Sequence, residues 1–84
     1  MTERELIAEN TRLLMSLRGV SQAALGRVMG VSQQYVERML RIPYRGLSGA
    51  AVERIAVALG VPVEWLSDPA LAGKTVEELR GEGR

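Results

Sequence analysis

The fold of this chain is decided by residues 21–40, which read SQAALGRVMGVSQQYVERML. Apolar residues recur here at spacings of three and four, which is typical of one face of an α-helix, and the pattern is interrupted at Gly30. Ser21 and Ser32 stand at the two helix starts, where a hydroxyl accepts a hydrogen bond from a free amide of the first turn. Glycine ends a helix readily because it tolerates the left-handed backbone. The stretch therefore predicts two short helices joined by a tight turn, an arrangement that presents the second helix outward.

The remaining sequence also predicts helices, because no segment alternates apolar and polar residues in the manner of a strand. The segment around Pro43 is predicted as a loop, since proline lacks the amide that a helix interior needs. Thr75 and Glu78 have the spacing of a capping box and allow a short sixth helix. The fold class is therefore all-α, a compact five-helix bundle over residues 1–67, with a C-terminal tail over residues 68–84. The predicted helices run from the Thr2 cap to Gly19, from Ser21 to Val28 or Met29, from Gln33 to Leu40, from Ser48 to Leu59 and from Pro62 to Leu66.

Helical spacing also assigns side chains to the core. In the second helix Ala24, Leu25 and Val28 are predicted to face inward. Trp65 is predicted to fill a gap over the fourth and fifth helices, with a role in binding a partner as the alternative. Asn10 lies within the apolar stripe of the first helix, so it needs a hydrogen-bond partner if it is buried.

Length and composition exclude several classes of protein. A chain of 84 residues has room for one small domain, whose stability is expected to be marginal unless it dimerises. The sequence contains no cysteine and no histidine, which removes disulfides, thiolate metal sites, and the usual general base and zinc ligand. Its longest apolar stretch is far shorter than the roughly 20 residues that span a bilayer, and its acidic start is unlike a signal peptide. A cytoplasmic binding protein is therefore favoured over a secreted protein or an enzyme, and no catalytic residue, metal or cofactor is expected.

Charge is distributed unevenly along the chain. Residues 10–46 carry six arginines and one acid, whereas residues 1–9 and residues 47–84 each have a net charge of −2. A basic middle between acidic ends suggests a face that binds a polyanion. Charge alone leaves a second interpretation open, in which the arginines only solvate a helical surface.

The third helix has two different sides. Val36, Met39 and Leu40 are predicted to point into the core. The outward residues are two consecutive glutamines, a tyrosine and, one turn later, a glutamate and an arginine: Gln33, Gln34, Tyr35, Glu37 and Arg38. Glutamine pairs with adenine through a donor and an acceptor, and arginine forks onto guanine, while the helix N-terminus favours phosphate. Glutamines also form helices well on a surface in contact with water, but the turn, the serine caps and the basic middle together favour base reading.

Four short motifs lie in register along the chain: RGVSQ at residues 18–22 followed by Leu25, MGVS at residues 29–32, AVALGV at residues 56–61 and VEWL at residues 63–66. Together they resemble the lambda-repressor-like, Xre-type helix-turn-helix domain, and the resemblance covers Leu13 to Leu66. It implies a five-helix bundle that binds operator DNA, usually as a symmetric dimer, and usually regulates transcription.

Carried over position by position, the resemblance implies DNA contacts for residues of both short helices and of the segment that follows them. Gln22 is expected to contact a phosphate and to brace the reading helix. Tyr35 stands at a more variable position, which suits a sugar, a thymine methyl or a phosphate. The residues expected to read bases are Gln33, Gln34, Tyr35 and Arg38. The residues expected at the DNA backbone are Ser21, Gln22, Ser32, Arg41 and Arg45, followed by Arg12 and Arg27.

The sequence departs from this family at two places. Members commonly have an arginine where Met15 stands and a glutamate where Leu40 stands, and the two form a buried ion pair. Replacing both charges by apolar side chains is often neutral or stabilising, whereas removing one costs about 3–5 kcal/mol. Met15 and Leu40 are therefore predicted to touch in the core. The segment from Arg41 to Gly46 lacks the usual Asn-Gly turn and is longer than in the family.

Two functions remain open at this point. The first is a sequence-specific regulator, a small repressor of phage or prophage type that occludes polymerase at an operator with two half-sites about one helical turn apart. Its expected partners are double-stranded DNA and, at least on DNA, a second copy docked through residues 61–79. It would act in the cytoplasm of a bacterium or phage-infected host, with no metal and no membrane. The second is a protein-interaction module of the same fold, such as an antitoxin or an assembly subunit.

Overall fold

The computed structural model describes residues 2–82, and within that range it contains seven α-helices and no strand. The helices are α1 Glu3–Arg18, α2 Gln22–Met29, α3 Gln33–Arg41, α4 Pro43–Gly46, α5 Gly49–Leu59, α6 Val63–Leu66 and α7 Val76–Glu82. The predicted all-α class is confirmed, and the five predicted helices correspond to α1, α2, α3, α5 and α6. The last two residues of the predicted tail lie outside the described range, and the division of the chain at residue 67 stays a prediction.

Local capping explains where the helices begin and end. The hydroxyls of Ser21, Ser32 and Ser48 accept hydrogen bonds from amides three residues ahead, at 3.0, 3.0 and 3.2 Å. Each bond satisfies one free donor at the start of a helix. Gly30 closes α2 in the left-handed conformation, with φ of 76°, which residues that carry a Cβ rarely adopt. The serine caps and the glycine turn predicted from the sequence are therefore confirmed.

The sixth predicted helix is confirmed as α7. Thr75 Oγ1 accepts a hydrogen bond from the amide of Glu78, and the Glu78 carboxylate accepts one from the amide of Thr75, both at 3.2 Å. This reciprocal capping box satisfies two amides that the first turn would otherwise leave free. α7 packs against α1.

The segment after α3 is not the loop that the sequence predicts, because it contains the one-turn helix α4. Pro43 stands in its first turn, where the missing amide costs little because that donor has no partner within the helix. At the other end Gly46 packs closely on α3, since a Cβ at this position would lie 3.0 Å from the Cα of Met39. α4 therefore lies directly against the C-terminal half of α3.

The core is formed by residues of α1, α2, α3 and α5 and is closed by α6. The prediction that Val28 faces inward is wrong, because this side chain is 64% exposed. The buried face of α2 consists of Leu25, Gly26 and Met29. At about 100° per residue, Leu25, Gly26 and Met29 lie within an arc of about 100°, and Val28 lies about 60° beyond one edge of it, towards solvent. In so short a helix, the apolar spacing is compatible with more than one rotation of the helix about its axis relative to the core.

Trp65 is not the core residue that the sequence predicts, since it is 42% exposed. α6 is a single turn whose buried side chain is Leu66, at 0% exposure. The residue next to an inward position on a helix points about 100° away from it. Trp65 and the neighbouring Val63, which is 39% exposed, therefore lie at the surface of α6.

Asn10 is fully buried and finds its partners at the end of α6. Its Nδ2 donates to the backbone carbonyls of Trp65, Leu66 and Asp68, at 3.2, 3.0 and 3.0 Å. The last carbonyls of a helix have no partners within it, so Asn10 supplies donors that α6 lacks. The expectation that a buried Asn10 is hydrogen-bonded is confirmed for its Nδ2, and these bonds fasten the exit from α6 to α1, whereas its buried Oδ1 has no partner among the described residues.

Candidate nucleic-acid interface

The turn between α2 and α3 is held close to α2. The amide of Val31 donates to the carbonyl of Gly26 at 2.8 Å. A Cβ on Gly26 would lie 2.7 Å from the carbonyl oxygen of Val31 and 3.2 Å from that of Ser32. Glycine at position 26 is therefore required by the close approach of the chain. The sequence interpretation singled out Gly30 and missed Gly26, although a glycine in the middle of an eight-residue helix signals such an approach.

One side of α3 packs into the core of the protein, and the opposite side faces solvent. Three side chains anchor it in the core, each at most 2% exposed: Val36, Met39 and Leu40. The four residues expected to read bases are all exposed: Gln33, Gln34, Tyr35 and Arg38. None of their side chains is packed away against the rest of the molecule, so this side of α3 is open to a macromolecular partner.

The start of α3 lies beside the start of α2. Ser32 Oγ accepts the amide of Tyr35, while Gln22 lines a shallow groove together with Gln33, Gln34 and Glu37. The position of Gln22 is compatible with its expected role in bracing the reading helix and contacting a phosphate. First-turn residues of both helices border this groove, and the partial positive charge of a helix N-terminus favours an anion.

Three arginines line one open groove between α3 and α4. The groove has a volume of about 680 Å³, and Arg38, Arg41 and Arg45 border it together with Tyr35. Arg41 Nε lies 3.1 Å from the Glu37 carboxylate, one turn earlier on α3. Both side chains are largely exposed, so this ion pair adds little to stability but orients the guanidinium. The groove is a concentrated patch of positive charge next to the candidate base-reading residues.

The other predicted DNA-backbone residues lie in different surroundings. Ser21 caps α2, and Arg27 is exposed in the last turn of that helix. Arg12 Nη2 instead donates to the carbonyl of Leu40 at 2.8 Å. This bond directs the Arg12 guanidinium towards the end of α3.

The apolar pair that replaces the family's ion pair is inside the molecule. Met15 is 7% exposed and Leu40 is 2% exposed, and both belong to the same core cluster. Burial of both side chains is the condition that their contact requires. The contact itself stays a prediction.

Tyr44 is a candidate that the sequence interpretation missed. It stands on α4, next to Arg45, and is 67% exposed. Tyrosine combines a stacking ring with a hydroxyl that hydrogen-bonds. The sequence signal is an aromatic residue next to an arginine, but the loop predicted around Pro43 gives that residue no defined orientation.

Two other structural features are absent from the described range, residues 2–82. That range holds no group of three or more side chains of metal-ligating type. None of its helices has the length and apolar character needed to span a bilayer.

Comparison with known protein families gives a match over most of this surface. The sequence model of a family described as helix-turn-helix matches residues 12–66 of the 84. No curated protein and no solved structure matches the chain. The matched range runs from the middle of α1 to the end of α6, and it includes every residue expected to contact DNA.

Proposed function

The chain belongs to the lambda-repressor-like, Xre-type helix-turn-helix family of DNA-binding regulators, and from that premise we propose that it is a repressor of phage or prophage type. It binds a double-stranded operator through the major groove, as a dimer, and represses by occluding polymerase in the bacterial or host cytoplasm. The observation that carries this proposal is the divided surface of α3, with its inner side anchored in the core and its outer side exposed.

The roles of the outward side chains follow from their chemistry. Gln33 and Gln34 stand in the first turn of α3, where a helix that enters the groove places its base-reading residues. Arg38, one turn later, suits guanine, and glutamine suits adenine. Tyr35 lies between them and is 48% exposed, so its ring can reach a thymine methyl or a sugar.

Backbone contacts surround this reading surface. Ser21, Gln22 and Ser32 lie at the starts of α2 and α3, where free amides and the helix dipole attract phosphate. Arg41 and Arg45 border the groove between α3 and α4. Arg27, exposed on α2, completes the set. Such contacts fix the register of the protein on the duplex without specifying sequence.

Dimerisation is part of the proposal. Two copies related by a two-fold axis place two reading helices in successive major grooves, about one helical turn apart. The region from Val61 to Leu79 is the proposed interface, because Val63 and Trp65 expose apolar surface there. Trp is among the residue types enriched in interface hot spots.

The test is selection of bound duplexes from a random pool, followed by competition against unrelated DNA. The proposal expects a preferred sequence of two related half-sites, with an affinity that falls steeply with salt. Gln33→Ala should then cost about 1–3 kcal/mol at one base position in each half-site. Glu53→Ala, a change of an exposed residue on α5, is the control and should leave the preference intact. Failure of any duplex to outcompete random DNA would refute the proposal.

The second candidate function is a protein-interaction module, and the exposed Trp65 favours it. An antitoxin or assembly subunit would bind its partner through α6 and the tail, and α3 would not contact the partner. In that case Gln33→Ala is silent, while Trp65→Ala or Leu79→Ala breaks a protein complex. Measuring both sets of variants in the same DNA and partner-binding assays separates the two functions.

A further inference from the structure

The end of α3 lacks the closure that the other long helices have. α1, α2 and α5 each end at a glycine in the left-handed conformation, whose amide bonds back to the helix. α3 is followed by Ile42, with φ of −124° and ψ of 70°, whose amide bonds back to the carbonyl of Arg38 at 2.7 Å. The next residue, Pro43, has no amide to donate to the carbonyls beyond Arg38. The last carbonyls of α3 therefore need donors from elsewhere.

One of these donors comes from α1. Arg12 Nη2 donates to the carbonyl oxygen of Leu40 at 2.8 Å, across 28 positions of sequence. A hydrogen bond from a charged donor is about twice as strong as one between neutral groups. A cation at this place also interacts favourably with the negative end of the dipole of α3. Arg12 thus acts as a cap on the reading helix supplied from another helix.

A second arginine of α1 makes the same kind of bond to α4. Arg4 Nη1 donates to the carbonyl oxygen of Tyr44 at 3.1 Å, across 40 positions of sequence. Arg4 and Arg12 are a little over two turns apart along α1. The two carbonyls they hold lie on either side of Pro43, so the pair brackets the junction of α3 and α4.

We propose that Arg4 and Arg12 are positioning residues, which fix α3 and α4 to α1 and so set the relative placement of the base-reading residues and the arginine groove. The inference rests on the proposed DNA-binding function. It changes the role that family resemblance gives Arg12: this charge acts on a carbonyl of the protein, and its effect on DNA binding comes through the geometry of α3. Arg4, which no motif indicates, has the corresponding role for α4 and Arg45.

The DNA-binding test compares Arg12→Met with Arg54→Met, the same change at an exposed arginine of α5. Methionine keeps an unbranched stem and a similar helix propensity but removes the donor and the charge. We expect Arg12→Met to weaken binding to the selected operator about tenfold, the usual order for loss of one charged hydrogen bond. Binding to random DNA and the dependence of affinity on salt should stay as in the parent protein. Arg54→Met should change none of these quantities.

A phosphate contact would give a different result. Binding to operator and to random DNA would then fall together, and the salt slope would drop by about one unit for the lost contact. That result would overturn the proposal, and so would an unchanged affinity for both kinds of DNA.

A second test uses the free protein, so it separates failure of this inference from failure of the DNA-binding function. Hydrogen exchange is followed at three amides around the junction of α3 and α4: those of Ile42, Arg45 and Leu47. Arg12→Met and Arg4→Met should each speed exchange here about tenfold, with much less change at Val52 in α5. Equal acceleration at all of these amides would mean general destabilisation and would contradict the positioning role. If Arg12→Met does not fold, Arg12→Lys and Arg4→Met are judged by the same two criteria.

Discussion

The two ends of the candidate DNA-reading unit are built in different ways. α2 closes itself, because Gly30 turns the chain and the amide of Val31 bonds back to Gly26. α3 has no glycine closure: the amide of Ile42 bonds back to Arg38, and Arg12 of α1 supplies the donor for the carbonyl of Leu40. The entry into the reading helix is therefore set by neighbouring residues, whereas its exit depends on a helix far away in sequence.

The same contrast extends to the rest of the molecule. Three side chains of α1 donate to backbone carbonyls at or just beyond the ends of other helices: Arg12 at α3, Arg4 at α4 and Asn10 at α6. α1 is thus the common support for the C-terminal ends of α3, α4 and α6, whose C-caps are not glycine. A substitution that disrupts a local closure should disturb one turn. Disruption of α1 should disturb several elements together.

The largest expected effect comes from breaking the local closure. Gly26→Ala places a Cβ against the backbone of the turn, which cannot move aside as a side chain can. We expect a loss of about 3 kcal/mol in the free energy of unfolding, the upper end of the usual range for overpacking. Urea denaturation measures this loss. Gly49→Ala is the matched control, because a Cβ there meets nothing within 4 Å, and an unchanged stability in both variants would show that the turn is not tightly fitted.

Removing a remote support should have the next largest effect. Asn10→Ala removes the side-chain donor that reaches the carbonyls at the end of α6, and we expect a loss of about 2 kcal/mol in the free energy of unfolding. In this variant, hydrogen exchange at the backbone amides should speed up more in the tail that follows α6 than in α2. Ser16→Ala, at an exposed position of the same helix, is the control. A loss spread equally over the molecule, with no excess in the tail, would argue against a local fastening by Asn10.

The smallest effect concerns the start of α1 and depends on pH. The backbone amide of Thr2 donates to the Glu5 carboxylate at 2.8 Å, and this bond, followed by the Thr2 hydroxyl, holds the pKa of Glu5 below its ordinary value. The pKa of Glu5 is lower in the folded than in the unfolded chain. The stability that this capping box adds is therefore present at pH values above the unfolded pKa, and it is lost as the pH falls through the folded pKa. NMR titration of the Glu5 carboxyl and of the Thr2 amide measures it. Glu5→Gln should remove the pH dependence of the Thr2 amide, and a Glu5 pKa at or above the ordinary value would contradict the capping box.

Sequence reasoning located the features that depend on near neighbours. Ser21, Ser32 and Gly30 were identified because a cap or a turn is encoded within four residues. Val28 and Trp65 were misplaced because a short helix leaves its rotation to tertiary packing. α4 was missed because Pro43 suits both a loop and a first helical turn. The bonds of Arg4 and Arg12 join residues 40 and 28 positions apart, and no local pattern indicates them.

The most direct test of the central claim maps contacts between the labelled protein and its selected operator by NMR. We expect intermolecular contacts from the side-chain amides of Gln33 and Gln34 to base protons in the major groove, with the indole of Trp65 free of DNA. Contacts confined to phosphates and sugars, or a binding surface on α6 with α3 unaffected, would contradict base reading by α3.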